Sequence, residues 1–219
     1  VAVVFVLVIG ATFAWSGPVK TASVVTSTTA AVLALGALAG VTFVDGWARW
    51  NYSGYEGKET FGEDQAFMTS VEGLPEGRFQ WEFNSELNQY GTTMSLMLIP
   101  FWVGQGHQSM EGLFFESSLT VPFHFLNQAE MSLAPSRPVP GLAYNTFDFD
   151  RGIPHLQIYG VDYYVSFTDE AEEKATSDAR LTEIDRSGPI TLFEVEDSDR
   201  VDVAAFEPAV DDPAGGEVR

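Results

Sequence analysis

The sequence predicts a mixed α+β (mixed α/β) extracytoplasmic domain preceded by a transmembrane helical hairpin. Of the 219 residues, the first 44 hold a single charge, Lys20, whereas all 31 acidic residues lie at or beyond Asp45. Beyond that point, apolar residues recur with helical spacing in some segments and alternate in others, and Gly- and Pro-rich turns separate them. We therefore divide the chain into two transmembrane helices (1–44), an extracytoplasmic domain (45–205) and a disordered acidic tail (206–219).

Two apolar segments make up the membrane part. Residues 1–15 are apolar apart from Thr12, but at about 1.5 Å per residue they reach only about 22 Å of a roughly 30 Å hydrocarbon core. We expect this helix to be truncated and the chain to be the C-terminal fragment of a longer protein. Residues 22–44 are long enough to span, and the turn at 16–20 joins the two segments into a hairpin. A signal-peptidase site at 37–39 is the weaker alternative, because two apolar segments are too long for one signal.

Charge predicts the orientation of this hairpin. Lys20 lies in the short loop and acidic residues follow Val44 directly, so the positive-inside rule places the loop in the cytoplasm and the domain outside. The next stretch, 45–61, is rich in Trp, Tyr and Gly. Such a composition is typical of an aromatic belt at the membrane interface, followed by a loop close to the bilayer.

Composition limits the function classes. The formal net charge of −20 argues against nucleic-acid binding, which needs clustered Lys and Arg. Without cysteine there is neither a disulfide framework nor a thiolate metal site. Three lysines against eight arginines, with abundant acidic and small residues, are typical of a prokaryotic, GC-rich or salt-adapted source.

The first part of the soluble domain predicts isolated elements. Residues 63–74 indicate a short helix and residues 78–84 a strand. Residues 90–103 are apolar and indicate a buried element whose type Pro100 leaves open. Residues 122–133 predict a helix with Pro at its first position and an apolar stripe of Phe125, Ala129 and Leu133.

The C-terminal third is clearer. Residues 148–159 predict a helix and 161–168 a strand buried on both faces, because both of its alternating rows are largely apolar. Residues 169–179 predict a charged helix, with Asp169 and Glu172 spaced as a cap pair. Residues 181–185 and 190–195 predict two more strands, which complete a strand, helix, strand, strand unit.

Several stretches resemble a known group of proteins: GRFQWEFN, YGTTMSLMLIPFWVG, SMEGLFFESS, PFHFLNQAEMS, GIPHLQIYGVDYYVSFT and SGPITLFEV. Across residues 45–200 the chain resembles the C-terminal extracytoplasmic region of actinobacterial-type, 6-pyruvoyl-tetrahydropterin-synthase-related multi-pass membrane proteins. Those proteins look like type C glycosyltransferases, which use polyprenyl-phosphate sugars at the outer membrane face. The resemblance implies that the essential acidic residue lies in an early loop, so no catalytic residue is assigned in this chain.

The family label also suggests a zinc-dependent pterin enzyme, whose metal is held by three histidines, two of them close in sequence. His107, His124 and His155 are isolated, with no H-x-H or H-E-x-x-H spacing. We therefore expect no metal and no cofactor. Ordinary hydrogen-bonded histidines are the better interpretation than convergence on a metal.

The densest polar and aromatic stretch, 102–130, supplies the substrate-binding candidates, because sugar sites combine carboxylates and amides with aromatic faces. These candidates are His107, Glu111, Glu116, His124 and Asn127. The alternative is that the carboxylates cap helices and satisfy buried backbone, and for Glu111 and Glu116 we favour it. Arg151 and His155, one helical turn apart, are further candidates for binding a phosphate or carboxylate together, although pairing of Arg151 with Asp148 or Asp150 is favoured over that role.

Three functions remain in competition. The leading hypothesis is the C-terminal part of a polytopic envelope glycosyltransferase, whose outer domain holds a glycan acceptor or covers the catalytic cavity. The second is a non-enzymatic membrane-anchored domain that binds an envelope protein or polymer. A hydrolase that uses Glu111 and Glu116 is third. The partners expected are the lipid bilayer and an envelope glycan or polyprenyl-phosphate sugar, with the domain on the outer face of a cell membrane.

Overall fold

The computed structural model describes residues 20–104, 106–112 and 121–199. It divides into two compact units, Val1–Lys58 and Glu59–Arg219. The predicted first span (1–15) and the acidic tail (206–219) lie outside the described residues.

Among the described residues of the first unit, one long helix is present, α1 (Lys20–Tyr52). It includes the apolar segment 22–44 and continues past Val44, so the first half of the predicted interfacial stretch 45–61 is helical rather than a loop. Lys58 closes its C-terminal end, because its amino group donates to the carbonyl of Trp50 and lies 3.9 Å from the centre of the Trp50 ring. Among the described residues, no helix meets the combined length and apolarity required to cross a membrane.

The second unit is a mixed α+β domain. Within the described residues, five strands form one sheet: β1 (Arg78–Trp81), β2 (Gln108–Ser109), β3 (Tyr163–Ser166), β4 (Leu181–Ser187) and β5 (Ile190–Val195). The strand order is β2-β1-β3-β5-β4. The pairs β1/β2 and β1/β3 are parallel, and β3/β5 and β4/β5 are antiparallel. The sheet therefore joins a parallel half to the C-terminal hairpin.

Helices and short helical turns surround this sheet. The α-helices are α2 (Phe61–Glu72), α3 (Ile99–Trp102), α4 (Val121–Met131), α5 (Phe149–Ile158) and α6 (Asp169–Ser177). Two 3₁₀ helices, Ser85–Tyr90 and Ser95–Leu98, follow β1.

The two faces of β3 separate two hydrophobic cores. Tyr163 and Val165 pack with Phe79 and Trp81 of β1, with α2 and with the 3₁₀ segments. Tyr164 packs on the other side, with Phe193 and with side chains of α4, α5 and α6. Because successive strand residues point to opposite faces, the tyrosine pair at 163 and 164 anchors both cores.

The predicted elements of the C-terminal third are confirmed. The strand in 161–168 is central and buried on both faces, and the helices in 148–159 and 169–179 form α5 and α6. The predicted cap pair of Asp169 and Glu172 is wrong, because Thr168 is the N-cap of α6 and its hydroxyl accepts from Ala171 N. The ambiguous stretch 90–103 is buried at Tyr90, Leu96 and Ile99 and forms short helical turns.

Candidate functional site

Helix α4 carries polar side chains into the interior of the domain. His124, Asn127, Gln128 and Glu130 are all buried, as are their apolar neighbours Phe125, Ala129 and Met131. A buried polar group is costly unless it is hydrogen-bonded. The partners of these four side chains therefore decide what the helix does.

Glu130 is the centre of the best-connected group. Its side chain is fully enclosed, and its Oε1 accepts from Asn145 Nδ2 at 2.6 Å. Its Oε2 lies 2.6 Å from His155 Nδ1 and 3.5 Å from Asn127 Nδ2. Both carboxylate oxygens are thus engaged by side chains from three different segments.

Helix α5 brings this group to the surface. The His155 side chain is 39% exposed, and Arg151, one turn earlier on the same helix, is exposed and donates from Nη1 to Asn145 Oδ1 at 3.1 Å. Arg151, Asn145, Glu130 and His155 therefore form a continuous chain of hydrogen bonds that begins and ends at the surface. We call these four residues the Glu130 network.

A glycine lets α5 approach α4 closely enough for this network. A Cβ at Gly152 would lie 2.3 Å from Met131 Sδ and 3.2 Å from Glu130 Cβ. The Gly152 carbonyl accepts from Asn127 Nδ2 at 2.9 Å. The close contact of the two helices thus fixes Glu130 beneath the exposed face of α5.

Several charged or titratable residues lie near the Glu130 network. Burial, and after it the negative charge of Glu130, raises the pKa of Tyr159 above its usual value. Asp150, which the sequence favours as a partner of Arg151, instead lies 3.8 Å from Arg180. Asp148 caps α5 by accepting from Asp150 N. The favoured pairing of Arg151 with either aspartate is therefore not found in the described residues, and Asn145 takes that place.

A second polar cluster surrounds Glu111. Gln128 Nε2 donates to Glu111 Oε2 at 3.1 Å, and His124 Nε2 lies 3.8 Å from the same oxygen. All three side chains are buried, and no described residue hydrogen-bonds Gln128 Oε1. The structure thus brings Glu111 and His124 together, as expected for a shared site, but encloses both. Glu116 lies outside the described residues.

His107 is not joined to either cluster by any hydrogen bond among the described residues. Its ring is buried 5.8 Å from the Phe79 ring, and neither ring nitrogen has a hydrogen-bond partner in the described part of the chain. It packs against the first core, whereas the Glu130 network lies beside the second.

The sequence places Glu130 in the polar stretch 102–130, but Glu130 is not among the predicted site residues, and neither Gln128 nor Asn145 is singled out. The spacing of His124, Asn127 and Gln128 was the available signal, because residues three and four apart share one face of a helix. In the sequence, the apolar stripe is the stronger signal, and it indicates a helix that packs against a core rather than a polar site. Phe125 and Ala129 in the stripe are buried, but Leu133 is exposed beyond the helix end.

Carboxylates line a separate cleft of about 600 Å³ beside the N-terminal ends of β1 and β3. Its acidic residues are Glu76, Asp162, Glu194, Glu196, Asp197 and Asp199. Asp162 Oδ2 accepts from Arg78 N at 2.7 Å, which fixes the start of β1. Within the described residues, no group of three His, Asp or Glu side chains is arranged to hold a metal ion.

Comparisons with protein-family models, with curated proteins and with solved structures find no match to this chain.

Proposed function

We propose that this chain is the membrane-anchored C-terminal part of an envelope glycosyltransferase and that its extracytoplasmic domain holds a glycan acceptor. The observation that carries the binding role is the Glu130 network. Arg151 and His155 are set one turn apart on α5 and fixed from below by a buried carboxylate and an amide. Side chains that are already held in place lose little freedom when a ligand binds, which favours recognition.

Apolar side chains on α1 support membrane anchoring. Val32, Leu35 and Leu38 are exposed in the first unit, and residues 21–44 carry no charge. In water such side chains favour burial, and a bilayer supplies the apolar surroundings. In this proposal residues 1–44 form a helical hairpin in the membrane, and the exposed Trp47 and Tyr52 lie at the lipid interface.

The resemblance in residues 45–200 supports the glycosyltransferase assignment. In such proteins the lipid-linked donor and the essential acidic residue belong to other parts of the chain. The domain therefore binds acceptor and does not transfer sugar by itself. A large share of rate enhancement comes from orienting both reactants, and the acceptor domain supplies one half of that orientation.

The test of acceptor binding uses the full 219-residue chain in lipid nanodiscs. Envelope oligosaccharides are titrated against ¹⁵N-histidine-labelled protein, and the His155 imidazole signals are followed. Binding should shift these signals, and Arg151→Gln should weaken it, while Arg137→Gln, on an exposed arginine near the Tyr144 ring, should leave it unchanged. If no envelope oligosaccharide moves the His155 signals, acceptor binding is wrong.

The location is tested separately in cells. Protease added to intact spheroplasts should digest the domain and leave the loop at Lys20 uncut. Protection of the domain with cleavage at that loop would reverse the orientation. Transfer of sugar by the isolated chain from polyprenyl-phosphate donors would show that the chain is catalytic and overturn the division of roles.

A further inference from the structure

We infer that the Arg151 and His155 pair takes the carboxylate or phosphate group of an acidic sugar. The inference rests on the proposed acceptor role and deepens it by naming the class of ligand. It follows from which hydrogen-bonding groups of the Glu130 network are used internally and which are left for a ligand.

The hydrogen-bond acceptor oxygens of the network already accept bonds from other members of the network. Glu130 uses both oxygens, one for Asn145 and one for His155, and the Asn145 oxygen accepts from Arg151. With Glu130 as an ionised carboxylate, which only accepts, His155 Nδ1 carries the proton of their shared bond. Among the described residues, the remaining N–H groups of the Arg151 guanidinium and His155 Nε2 are therefore surface groups of the network without an assigned protein partner.

The guanidinium of Arg151 has unused donors. It carries five N–H groups in a planar fork, and among the described residues one hydrogen bond, from Nη1, is assigned to it. A planar fork matches the two oxygens of a carboxylate or two oxygens of a phosphate. Its bond to Asn145 restrains the side chain, so that the remaining donors stay beside the His155 ring.

His155 contributes a second contact whose sense depends on protonation. With Nδ1–H held by Glu130, a neutral ring accepts at Nε2, whereas a protonated ring donates there. The protonated ring and Arg151 together present donors only, which fits an oxyanion. The neutral ring accepts a sugar hydroxyl while Arg151 still binds the anion. Both states suit a ligand that carries an anionic group next to hydroxyls.

The local charge permits this in spite of the acidic chain. Among the described residues, the bond assigned to the Arg151 guanidinium goes to the neutral Asn145 amide and to no carboxylate, so its positive charge is not paired. Asp148 and Asp150 at the start of α5 add negative charge, and Arg180, which lies 3.8 Å from Asp150, offsets part of it. The acidic cleft near Glu76 and Asp162, by contrast, disfavours anions.

The test compares acidic and neutral sugars on the full chain in nanodiscs. Oligohexuronate and hexose 6-phosphate are titrated beside neutral hexose oligomers of equal length, with inorganic phosphate and acetate as free anions. Acidic sugars should bind at least about tenfold more tightly than neutral ones, since hydrogen bonds to charged groups are the stronger class. Arg151→Gln should abolish the preference, whereas Arg137→Gln should retain it. In His155→Gln, which lacks the reporting imidazole, affinity is measured by titration calorimetry, and the preference should be reduced.

The outcomes separate the two proposals. Equal affinity for acidic and neutral sugars at His155 overturns the inference and leaves acceptor binding intact. Free phosphate binding at Arg151 with no sugar binding supports the anion site and overturns the acceptor role. Absence of every ligand overturns both. Unchanged His124 imidazole signals in each variant verify that the fold is preserved, and Asn145→Ala, which removes the restraint on Arg151, should lower the preference in part.

Discussion

Removal of the Glu82 carboxylate should destabilise the domain strongly. This side chain follows β1 and is fully buried. It accepts from Phe167 N at 2.8 Å, from Thr168 N at 2.9 Å and from the Thr168 hydroxyl at 2.8 Å, and these residues join β3 to α6. No ion pair involves Glu82 in the described part of the chain, so these donors offset its desolvation.

The magnitude follows from those three bonds, because a fourth, from Leu133 N to Oε1 at 3.5 Å, is long and weak. Each hydrogen bond to a charged group contributes about 1.5–3 kcal/mol, and a buried donor left unpaired costs about 1–3 kcal/mol. With partial access of water to the vacated space, Glu82→Ala should lower the free energy of unfolding by about 3–5 kcal/mol. In a domain of this size that corresponds to roughly 6–20 °C in Tm. Glu82→Gln keeps one accepting oxygen and should cost about 1–2 kcal/mol.

The assay is urea unfolding followed by circular dichroism, with Glu86→Ala as the control. Glu86 lies four residues away and is exposed, and its hydrogen bond to Asn84 uses only the backbone N–H, so its truncation should change stability by less than about 0.5 kcal/mol. If Glu82→Ala is no less stable than Glu86→Ala, the free energy gained from the hydrogen bonds of Glu82 only offsets the cost of desolvating its carboxylate. The structural role argued for it would then be wrong.

Three further changes test other parts of the domain. Burial raises the pKa of Asp64 to about 6 from 3.8, so the folded state holds its proton more tightly and stability should fall as pH rises from about 4 to 6. Asp64→Asn should therefore raise the unfolding free energy at pH 7.5 by about 2–3 kcal/mol and flatten that slope. Tyr163 is 3% exposed, stacks on Phe79 at 4.7 Å and donates to Pro75 O at 3.0 Å; Tyr163→Asp should cost about 3 kcal/mol or more in thermal unfolding. A Cβ at Gly77 would lie 2.3 Å from the Tyr163 ring, so Gly77→Ala should cost about 1–3 kcal/mol.

Control variants and contrary outcomes make each of these three predictions testable. Tyr163→Phe removes only the hydroxyl and should cost about 1 kcal/mol. Gly62 lies on α2 with nothing within 4 Å of a Cβ, so Gly62→Ala should stabilise by about 0.5–1 kcal/mol. If the unfolding free energy of Asp64→Asn depends on pH in the same way as that of the parent protein, the group that titrates is not Asp64. If Gly62→Ala and Gly77→Ala change the unfolding free energy equally, the Tyr163 ring moves away from a Cβ at position 77 without cost.

Elements with a clean apolar period were the ones the sequence predicted. The strand in 161–168 alternates two largely apolar rows, and such a strand is stable only between two packed layers, which is where β3 lies. The C-terminal hairpin followed because Gly188 and Pro189 mark a turn between apolar runs. The short turns in 90–103 could not be assigned, since their form depends on packing against α2 rather than on local preference.

Helix α4 shows why the site was harder to predict than the fold. Its existence follows from Pro122 and the apolar stripe, but enclosure on nearly all sides follows from tertiary contacts that no local pattern records. Asn145 lies outside any periodic element, and its contact with Glu130 depends on the path of the loop before α5. Candidate residues chosen by type alone therefore included His107, which packs in the opposite core, and left out Glu130.

The buried carboxylates of this acidic chain differ in their hydrogen-bond partners. These partners indicate which carboxylate has a structural role and which supports ligand binding. Glu82 is held by backbone and hydroxyl donors that are themselves part of the fold, so its charge stabilises the junction between β3 and α6. Glu111 meets Gln128 and His124 inside the domain. Glu130 alone of these three carboxylates bonds to an exposed histidine and, through Asn145, to an exposed arginine. A change at Glu130 should consequently alter ligand binding at α5 as well as stability, whereas a change at Glu82 should alter stability alone.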